Sequence, residues 1–251
     1  MNTASPDRIL RFEGAKNVRD LGGLPAAAGT TTRFGVIYRA DGLSRLTAAD
    51  LDRLAALRLR TIIDLRFNEE RARAPDRLPA QDAPRVFHRG FLPQGTHALF
   101  NAINLRGAGA AEAATLMCAN YARMAFDHTA EFAAVMHHVV APGGAPHLIH
   151  CTSGKDRTGL VVAFLLLAIG VPLDAVIADY ELSNGDWQPI DLFAPAARAE
   201  AIAAVMAAHA DYLRATLTAI EQRCGSFDAY LRDVLGFDAP AQAALAALLL
   251  G

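Results

Sequence analysis

The spacing of apolar residues along the chain separates short buried runs from longer helical segments. Short, nearly continuous apolar runs bounded by turn residues predict strands at 36–39, 61–65, 85–91 and around 148–149. Longer segments, in which apolar residues recur every three or four positions, predict helices at 47–57, 112–126, 129–140, 160–169, 173–183, 194–222, 226–235 and 240–250. Strands that alternate with helices favour an α/β fold with a central, mostly parallel sheet flanked by helices.

Two stretches depart from this alternation. Residues 93–109 show no clear period and are long for a connection, so we expect a mobile or substrate-facing loop. Residues 186–251 are alanine-rich and helical, with a break expected at 209–211, and would pack on the rest of the domain or cover it as a lid. With 251 residues and 53% hydrophobic composition, the chain has the size of a single domain, 1–251, that includes this extension.

The polar stretch 150–159 lies between the apolar run at 148–149 and a long apolar helix. A strand therefore delivers Cys151 into a tight turn at the start of a helix. Gly154 lets successive N–H groups of the turn point inward, and the free N–H groups of the helix start add to this anion site. The positive field favours the thiolate of Cys151, and the fork of Arg157 can hold two phosphate oxygens above the sulfur. Cys-x5-Arg is thus a unit suited to a phosphate ester.

The other residues of the turn fit the same site. We expect phosphate to be bound by Thr152, Ser153, Gly154, Lys155 and Thr158. The Thr158 hydroxyl can donate to the sulfur and help it leave when a phosphocysteine is hydrolysed. Lys155, inside the mouth of the turn, adds a second cation that favours substrates with more than one phosphate, unless it only deepens the positive potential.

Less specific interpretations compete with this one. A cysteine between apolar segments is usually an inert core residue, and His150 beside it can simply fill space or bond a carbonyl. A nucleotide-binding loop would need an earlier glycine, and Asp156 stands where Ser or Thr would ligate magnesium. His137 and His138 do not form a metal pair, because adjacent side chains on a helix diverge.

Several motifs together resemble one known family. The run His-Cys-x-x-Gly-Lys-Asp-Arg-Thr-Gly at 150–159 is similar to the loop of atypical bacterial tyrosine phosphatases with dual activity on phosphoproteins and phosphoinositides. Asn-x-Arg-Asp-Leu-Gly-Gly at 17–23, the Asp-Leu-Arg run at 64–66 and Tyr-x-x-Ser-Asn at 180–184 match the same family pattern. The resemblance implies a cysteine-phosphatase fold, a phosphocysteine intermediate and no metal or cofactor. It also implies a phosphoprotein or phosphoinositide substrate, and inorganic phosphate or another oxyanion as a ligand of the loop.

Supporting roles follow from the same resemblance. Arg19 and Asp20 would support the loop without performing chemistry, although Asp20 in a turn can simply bond nearby backbone. Asp64 ends a predicted strand and so falls at the edge of the sheet where Cys151 also lies. For Glu69 and Glu70 we prefer a solvated helix start.

The general acid has two candidates in the sequence. Tyrosine phosphatases with a Trp-Pro-Asp loop carry the acid there, but Trp187 is followed by Gln188 and Pro189. Asp156 is our first candidate, because lipid phosphatases of the myotubularin type carry a comparable aspartate in the loop. Asp64 is the second. Asp156 can instead be a structural carboxylate that bonds loop amides or balances Arg157.

Composition limits the setting of the protein. A net charge of −2 and scattered basic residues give no footprint for nucleic acid. Three cysteines are too few for a disulfide framework and suit a reducing compartment. The polar N-terminus shows no signal peptide, and the longest apolar stretch is too short to span a bilayer, so no stable membrane insertion is expected. We expect a cytoplasmic protein, or one exported without a conventional signal.

Three classes of function remain in order of preference. A phosphomonoesterase, first of all a protein-tyrosine phosphatase, fits the loop and the motifs best, with phosphoserine/threonine or phosphoinositide activity as alternatives. A phosphate-binding module without turnover would use the same loop. Sulfur transfer of the rhodanese type shares the nucleophile, but an arginine and a threonine at this spacing argue against it.

Overall fold

The computed structural model describes residues 7–185 and 192–251. Its centre is a sheet of five strands, β1 (Arg19–Asp20), β2 (Ile37–Ala40), β3 (Thr61–Asp64), β4 (Arg85–His88) and β5 (His147–His150). Their order in the sheet is β1-β2-β5-β3-β4. Only the β1–β2 pair is antiparallel among these strands, and the other neighbours are parallel. The predicted α/β fold with a mostly parallel sheet is therefore confirmed.

Both faces of the central strands are covered. Ile37, Ile63 and Ile149 belong to one hydrophobic cluster, whereas Ile62 and Leu148, which point the opposite way from the strands, belong to another. Every residue of β2, β3 and β5 is buried. This explains why these strands appear in the sequence as continuous apolar runs rather than as an alternation.

The helices surround this sheet. They are α1 (Ala48–Ala56), α2 (Asn68–Arg73), α3 (Thr96–Asn104), α4 (Ala110–Asp127), α5 (Thr129–Val140), α6 (Asp156–Ala168), α7 (Leu173–Glu181), α8 (Ala199–Met206), α9 (Ala210–Cys224), α10 (Phe227–Ala229) and α11 (Ala239–Leu249). A turn of π-helix, Tyr230–Val234, continues α10. In these parts of the chain, no helix is both long and apolar enough to cross a membrane.

The start of α1 follows from its sequence. The Thr47 side chain accepts a hydrogen bond from the Asp50 backbone N–H, and the Asp50 carboxylate accepts one from the Thr47 N–H. This reciprocal capping box satisfies two donors that a helix start otherwise leaves free. The predicted helix start at Thr47 is confirmed.

The expectation of a mobile loop at 93–109 is wrong, because helix α3 occupies most of it. Leu99, Ala102 and Ile103 are buried on its inner face. Their spacing of three and four residues is the helical signal, but it spans barely two turns, and polar residues and glycines flank it. Burial against the neighbouring α4 determines the conformation of this segment.

The C-terminal helices share a hydrophobic core with the sheet. Leu213, Tyr230 and Leu245 lie in the same cluster as Leu160 and Phe164 of α6. The long helix predicted at 194–222 is interrupted between α8 and α9, close to the expected break at 209–211. This packing favours a fixed extension over a loose lid. The division into a domain 1–251 with an extension at 186–251 stays a prediction.

Candidate active site

The loop that follows β5, residues 151–155, is called here the cysteine loop. Cys151 comes directly after the strand and is 1% exposed. Gly154 has a φ of 65°, and a Cβ atom there would lie 2.3 Å from the carbonyl oxygen of Ala40. Any side chain would therefore push the loop away from the end of β2. The Gly42 N–H donates to the carbonyl oxygen of Thr152 at 3.1 Å and ties the loop to the same edge of the sheet.

The cysteine loop lies at the carboxyl edge of the parallel strands. Ala40 and Asp64 flank His150 in the register, and His88 is the partner of Asp64. Four strands therefore end at the same edge of the sheet, and Cys151 is the first residue after the central strand, β5. In open α/β sheets this edge is where ligands bind.

Arg157, in the first turn of α6, is held by an ion pair. Its Nη1 and Nη2 atoms lie 2.6 and 2.7 Å from the two carboxylate oxygens of Glu70. Nη1 also donates to the carbonyl oxygens of Leu65 and Phe91, at 3.0 and 3.1 Å, and Nη2 to the hydroxyl of Thr152 at 3.2 Å. Across 7–185 and 192–251, no residue accepts from the Nε–H group. That donor is available to an oxyanion in the loop.

The charge of Arg157 is secure at any working pH. Burial lowers its pKa, but the hydrogen bonds to Glu70 and the negative charges of Cys151 and Glu70 outweigh burial and raise the pKa above its ordinary value. Because Arg157 Nη2 donates to the hydroxyl of Thr152, the residue next to Cys151, the guanidinium lies against the cysteine loop. The Cys-x5-Arg spacing predicts this placement. The expectation that the fork of Arg157 holds two phosphate oxygens is corrected, because both Nη atoms bind Glu70 and only the Nε–H group is left for an oxyanion.

Glu70 corrects one prediction from the sequence. Glu69 is exposed, as expected for a solvated helix start, but Glu70 points inward from the first turn of α2 and binds Arg157. Burial raises the pKa of Glu70, whereas the hydrogen bonds and charge of Arg157 lower it overall, so Glu70 is ionised. The hydroxyl of Thr152 also donates to this carboxylate. Glu70 therefore orients the guanidinium and one residue of the cysteine loop together.

Lys155 does not lie free at the mouth of the loop, which corrects the expectation that it would serve there as a second cation. It is 2% exposed, and its Nζ donates to the carbonyl oxygens of Val205 and Ala207 at 2.5 and 3.0 Å. These carbonyls belong to the end of α8. Orphan carbonyls at a helix C-terminus attract cations, so α8 holds this side chain.

Asp156 begins α6 and is the most accessible of the charged residues around the cysteine loop, with 30% of its side chain exposed. Its Oδ1 atom accepts a hydrogen bond from the Tyr121 hydroxyl at 2.6 Å and lies 3.2 Å from Lys155 Nζ. The Tyr121 hydroxyl is 2.7 Å from that of Tyr180. The first candidate acid is thus placed beside the loop, with one oxygen anchored.

A second buried ion cluster lies behind the loop. Asp179, on α7, pairs with Arg19 at 3.1 Å, with Arg39 at 2.9 Å and with Arg8. Arg19 and Arg39 are almost fully buried. Burial raises the pKa of Asp179, but the three guanidinium charges dominate and hold it well below its usual range. We call Asp179 and its three arginines the rear cluster.

The rear cluster binds outward-facing carbonyl groups of the cysteine loop. Arg39 Nη2 donates to the carbonyl oxygen of Gly154 at 2.7 Å. The Asn17 side-chain amide donates to the carbonyl oxygens of Ser153 and Gly154 at 3.2 and 3.1 Å, and Arg19 binds Asn17. When these carbonyls point outward, the loop N–H groups face the other way, towards an anion. Arg19 thus supports the loop through Asn17 and Asp179.

Asp20 has a local role instead of the expected contact with the loop. Its carboxylate accepts from the N–H groups of Gly22 and Gly35, at 2.8 and 2.7 Å. Burial raises the pKa of Asp20, and these two bonds only partly offset that effect. The residue therefore closes a turn, which is the bonding to nearby backbone considered from the sequence.

Asp64, the second candidate acid, lies in an ion network. Arg66 Nη2 is 2.9 Å from Asp64 Oδ2 and 2.8 Å from Asp76 Oδ2, and His150 Nε2 is 3.3 Å from Asp76 Oδ2. Burial raises the pKa of Asp64, but the hydrogen bonds from Arg66 and the charge of His150 lower it overall. A carboxylate held ionised at 1% exposure is a poor acid, which corrects the second choice.

The same three residues, Asp64, Asp76 and His150, offer ligand atoms within 4.8 Å of one another. However, the Arg66 guanidinium already binds both carboxylates, so a metal cation would have to displace a positive charge. The group is better described as an ion-pair network that supports the strand end beneath Cys151.

Thr158 and Ser153 complete the list of predicted site residues. Thr158 is fully buried, and its hydroxyl has no hydrogen-bond partner within the described ranges. A buried hydroxyl without a partner carries a desolvation cost, and it remains free to donate to the sulfur when charge develops there. Ser153 contributes its carbonyl to Asn17, as described above, and is half-buried.

Sequence reasoning missed several residues that shape the site. They are Glu70, Asn17, Arg39, Asp179 and Tyr121. Asn17 and Asp179 stand inside or beside motifs that the sequence singled out, so motif membership could have marked them. Glu70 and Tyr121 carry no local signal, because a glutamate in a first helical turn and a tyrosine on an apolar helix face are ordinary. The run Trp187-Gln188-Pro189, weighed for the acid, lies outside the described residues.

A buried cysteine at the end of a central strand, an arginine separated from it by five residues and a loop with outward carbonyls define the class of cysteine-dependent phosphatases. Comparison with protein families agrees: residues 10–251 match the model of the tyrosine phosphatase family. The chain belongs to this family.

Two proteins related by sequence support the same assignment. A protein of Cupriavidus necator that carries the name tyrosine-protein phosphatase is 34% identical over 239 residues, which are 91% of this chain and 85% of that protein. The triple specificity protein phosphatase PtpB of Mycobacterium tuberculosis is 32% identical over 270 residues, with coverage of 90% and 93%. The crystal structure of P. aeruginosa TpbA aligns at 19% identity over 76% of this chain and 89% of that chain, with a TM-score of 0.37.

Proposed function

We propose that the protein hydrolyses phosphate monoesters, at least in part on tyrosine, through a phosphocysteine formed on Cys151. One observation carries the proposal: Arg157 binds Thr152, the residue after Cys151, in a loop whose carbonyl groups accept hydrogen bonds from Asn17 and Arg39. Glu70 holds the guanidinium without using its Nε–H group. The family and the names of the relatives agree with this chemistry.

The reaction takes two displacements at phosphorus. The Cys151 thiolate attacks, the S–P bond forms as the bond from phosphorus to the ester oxygen breaks, and the alcohol or phenol leaves with one proton. Water then attacks phosphorus, the S–P bond breaks and the sulfur leaves as a thiolate, with inorganic phosphate released. Loop N–H groups and Arg157 stabilise the charge on the equatorial oxygens in both steps. The free Thr158 hydroxyl donates to the departing sulfur.

Asp156 is the proposed proton donor for the leaving oxygen. It is the accessible carboxyl group beside the loop, whereas Glu70 and Asp64 are ionised and bound to arginines. General acid catalysis of this kind is typically worth about 10²- to 10⁴-fold in rate. Its contribution grows as the leaving group becomes a stronger base.

The preferred substrate class is the phosphotyrosine of proteins. Lys155 bonds to carbonyls of α8, so it adds no second phosphate-binding cation unless α8 moves. Phosphoserine, phosphothreonine and phosphoinositides are a wider range that the name of PtpB, triple specificity, makes worth testing here. Inorganic phosphate and other oxyanions would occupy the same loop as products or inhibitors.

The deciding experiment compares the wild type with Cys151→Ser and, as a matched control, Cys224→Ser on p-nitrophenyl phosphate, phosphotyrosine and phosphoserine peptides and a soluble phosphoinositide. We expect wild-type turnover, fastest on the aryl esters. Cys151→Ser should lose turnover and still bind inorganic phosphate, and Cys224→Ser should behave as wild type. Phosphate binding by the wild type without turnover of the aryl phosphate would instead indicate a binding module.

A further inference from the structure

The two oxygens of the Asp156 carboxyl group have different surroundings. Oδ1 accepts from the Tyr121 hydroxyl at 2.6 Å and lies 3.2 Å from Lys155 Nζ. Oδ2 makes no hydrogen bond to any residue of the described ranges. Nearly a third of this side chain is exposed, and Asp156 directly follows the cysteine loop in the chain.

The donor to Oδ1 is itself rigidly placed. Tyr121 is fully buried on α4, and its hydroxyl lies 2.7 Å from that of Tyr180, which is 1% exposed on α7. The Thr216 hydroxyl donates to the backbone carbonyl of Tyr121 at 3.0 Å. Since Tyr121 has one hydroxyl proton and gives it to Asp156, Tyr180 must donate to Tyr121. The three groups form a directed chain from Tyr180 to Tyr121 to Asp156.

This chain decides where a proton can sit on Asp156. A proton on Oδ1 would meet the Tyr121 hydroxyl hydrogen and an ammonium group, so the protonated acid carries its hydrogen on Oδ2. Burial, and next the charge of Asp156, raise the pKa of Tyr121 well above its ordinary value, so Tyr121 stays a donor throughout the working range. A general acid needs this kind of fixed orientation towards the leaving oxygen.

We propose that Tyr121 is a positioning residue for the reaction: its hydroxyl holds Asp156 by Oδ1 and so presents Oδ2 with its proton to the oxygen of the leaving group. Tyr180 fixes Tyr121 in this role. The proposal rests on the proposed function of Cys151 and on the acid role of Asp156. It adds a residue on α4, 35 positions before Asp156, to the machinery that serves the loop.

The test measures kcat/KM of the full chain with a series of aryl phosphates. Their phenol leaving groups range from strongly acidic, as in p-nitrophenol, to weakly acidic, as in phenol. Tyr121→Phe removes one hydroxyl and keeps the ring. We expect a loss of about tenfold on phenyl phosphate, the size of one buried hydrogen bond, and less than twofold on p-nitrophenyl phosphate.

Two further variants separate positioning from packing. Tyr230→Phe is the matched control, because its buried hydroxyl donates to the Ala125 carbonyl, four residues after Tyr121 on the same helix α4, at 2.5 Å. Tyr230→Phe should leave the dependence of kcat/KM on the acidity of the leaving group as in the wild type. Tyr180→Phe, which keeps the bond between Tyr121 and Asp156, should show the same leaving-group dependence as Tyr121→Phe with a smaller loss.

The pH profile and a double variant give independent readouts. Without Tyr121 the ionised carboxylate of Asp156 loses a donor, so the basic limb of kcat/KM on phenyl phosphate should move to higher pH in Tyr121→Phe. In the Asp156→Asn background, Tyr121→Phe should cause no further loss of kcat/KM on phenyl phosphate, because both substitutions remove the same function, proton donation to the leaving group.

Equal losses of Tyr121→Phe on all leaving groups, an unmoved basic limb or additive losses in the double variant would overturn the proposal. So would a wild type that turns over aryl phosphates while Asp156→Asn loses activity equally on every leaving group; the phosphatase function would then stand without this acid. A wild type with no turnover on any aryl phosphate would mean that the proposed function itself has failed.

Discussion

Two buried ion clusters flank the cysteine loop, and they use charge differently. In front, the guanidinium of Arg157 binds the carboxylate of Glu70, and its Nε–H group donates to no residue that the structure describes. In the rear cluster three arginines bind Asp179. Their other N–H groups donate to backbone and side-chain oxygens, among them the Gly154 carbonyl. The front pair is neutral and can accept a dianion, whereas the rear cluster is positive and is bound within the protein.

The difference separates ligand binding from scaffolding. A guanidinium that is oriented by one carboxylate remains able to hold phosphate, while guanidinium groups bonded to loop carbonyls determine which way the loop amides point. Changes in front should therefore alter turnover more than stability. Changes in the rear cluster should alter stability more than turnover.

The largest effect is expected for Arg157→Lys, which keeps the charge but loses the Nε–H donor and the fork that Glu70 orients. Removal of one preorganised donor to a transition-state oxyanion typically lowers kcat by about 10²- to 10³-fold, and we expect kcat/KM for p-nitrophenyl phosphate to fall near the upper end. The free energy of unfolding should fall by about 1–3 kcal/mol, because one ammonium group cannot bind every oxygen that Arg157 binds, but the variant should stay folded in the assay. A variant that kept wild-type turnover would show that the front arginine is structural.

Next comes Asp179→Asn, which leaves three arginines around a neutral amide. Loss of one partner of a buried ion pair costs about 3–5 kcal/mol, and we expect the free energy of unfolding to fall by about 3 kcal/mol. The carboxylate has a depressed pKa in the folded protein, so its stabilisation is complete above the ordinary value of 3.8 and is lost as pH falls below it. The difference in the free energy of unfolding between variant and wild type should thus become smaller as the pH falls below 3.8. A large loss of kcat/KM with an unchanged free energy of unfolding would show that the rear cluster serves turnover and not stability.

A smaller effect is expected for Glu70→Gln, with the exposed neighbour variant Glu69→Gln as the control. The amide keeps some hydrogen bonds to Arg157 but loses the charge, so kcat/KM should fall by about tenfold. Because the pKa of Glu70 is below its ordinary value of 4.5, the wild type should show no loss of activity from this group above that pH. Equal behaviour of the two glutamine variants would contradict the role given to Glu70.

The smallest effect is expected away from both clusters, for Thr47→Ala at the capping box of α1. Loss of a helix N-cap side chain typically costs about 1 kcal/mol, which thermal unfolding should detect as a lower Tm. Turnover at temperatures well below Tm should equal that of the wild type. A loss of kcat/KM there would mean that α1 communicates with the loop.

Local sequence accounts for much of the fold and for the centre of the site. The apolar spacing is enough to predict the strands at 36–39 and 61–65 and the helix at 129–140. In the structure the bounds of these elements differ from the predicted bounds by at most one or two residues. The helix α3 was missed because its apolar face is short and needs α4 to stabilise it. Cys151, Gly154 and Arg157 could be assigned from spacing, because a strand, a turn and a helix start place them together with no help from distant residues.

The sequence by itself thus determined the order of strands and helices and the cysteine loop, since local apolar spacing and turn residues encode both. Only the tertiary structure decided the partners of the charged residues. Glu70 precedes Arg157 by 87 positions, and the Val205 carbonyl follows Lys155 by 50. Buried charges must find partners wherever the fold brings oxygen atoms within reach, and no local pattern records that choice.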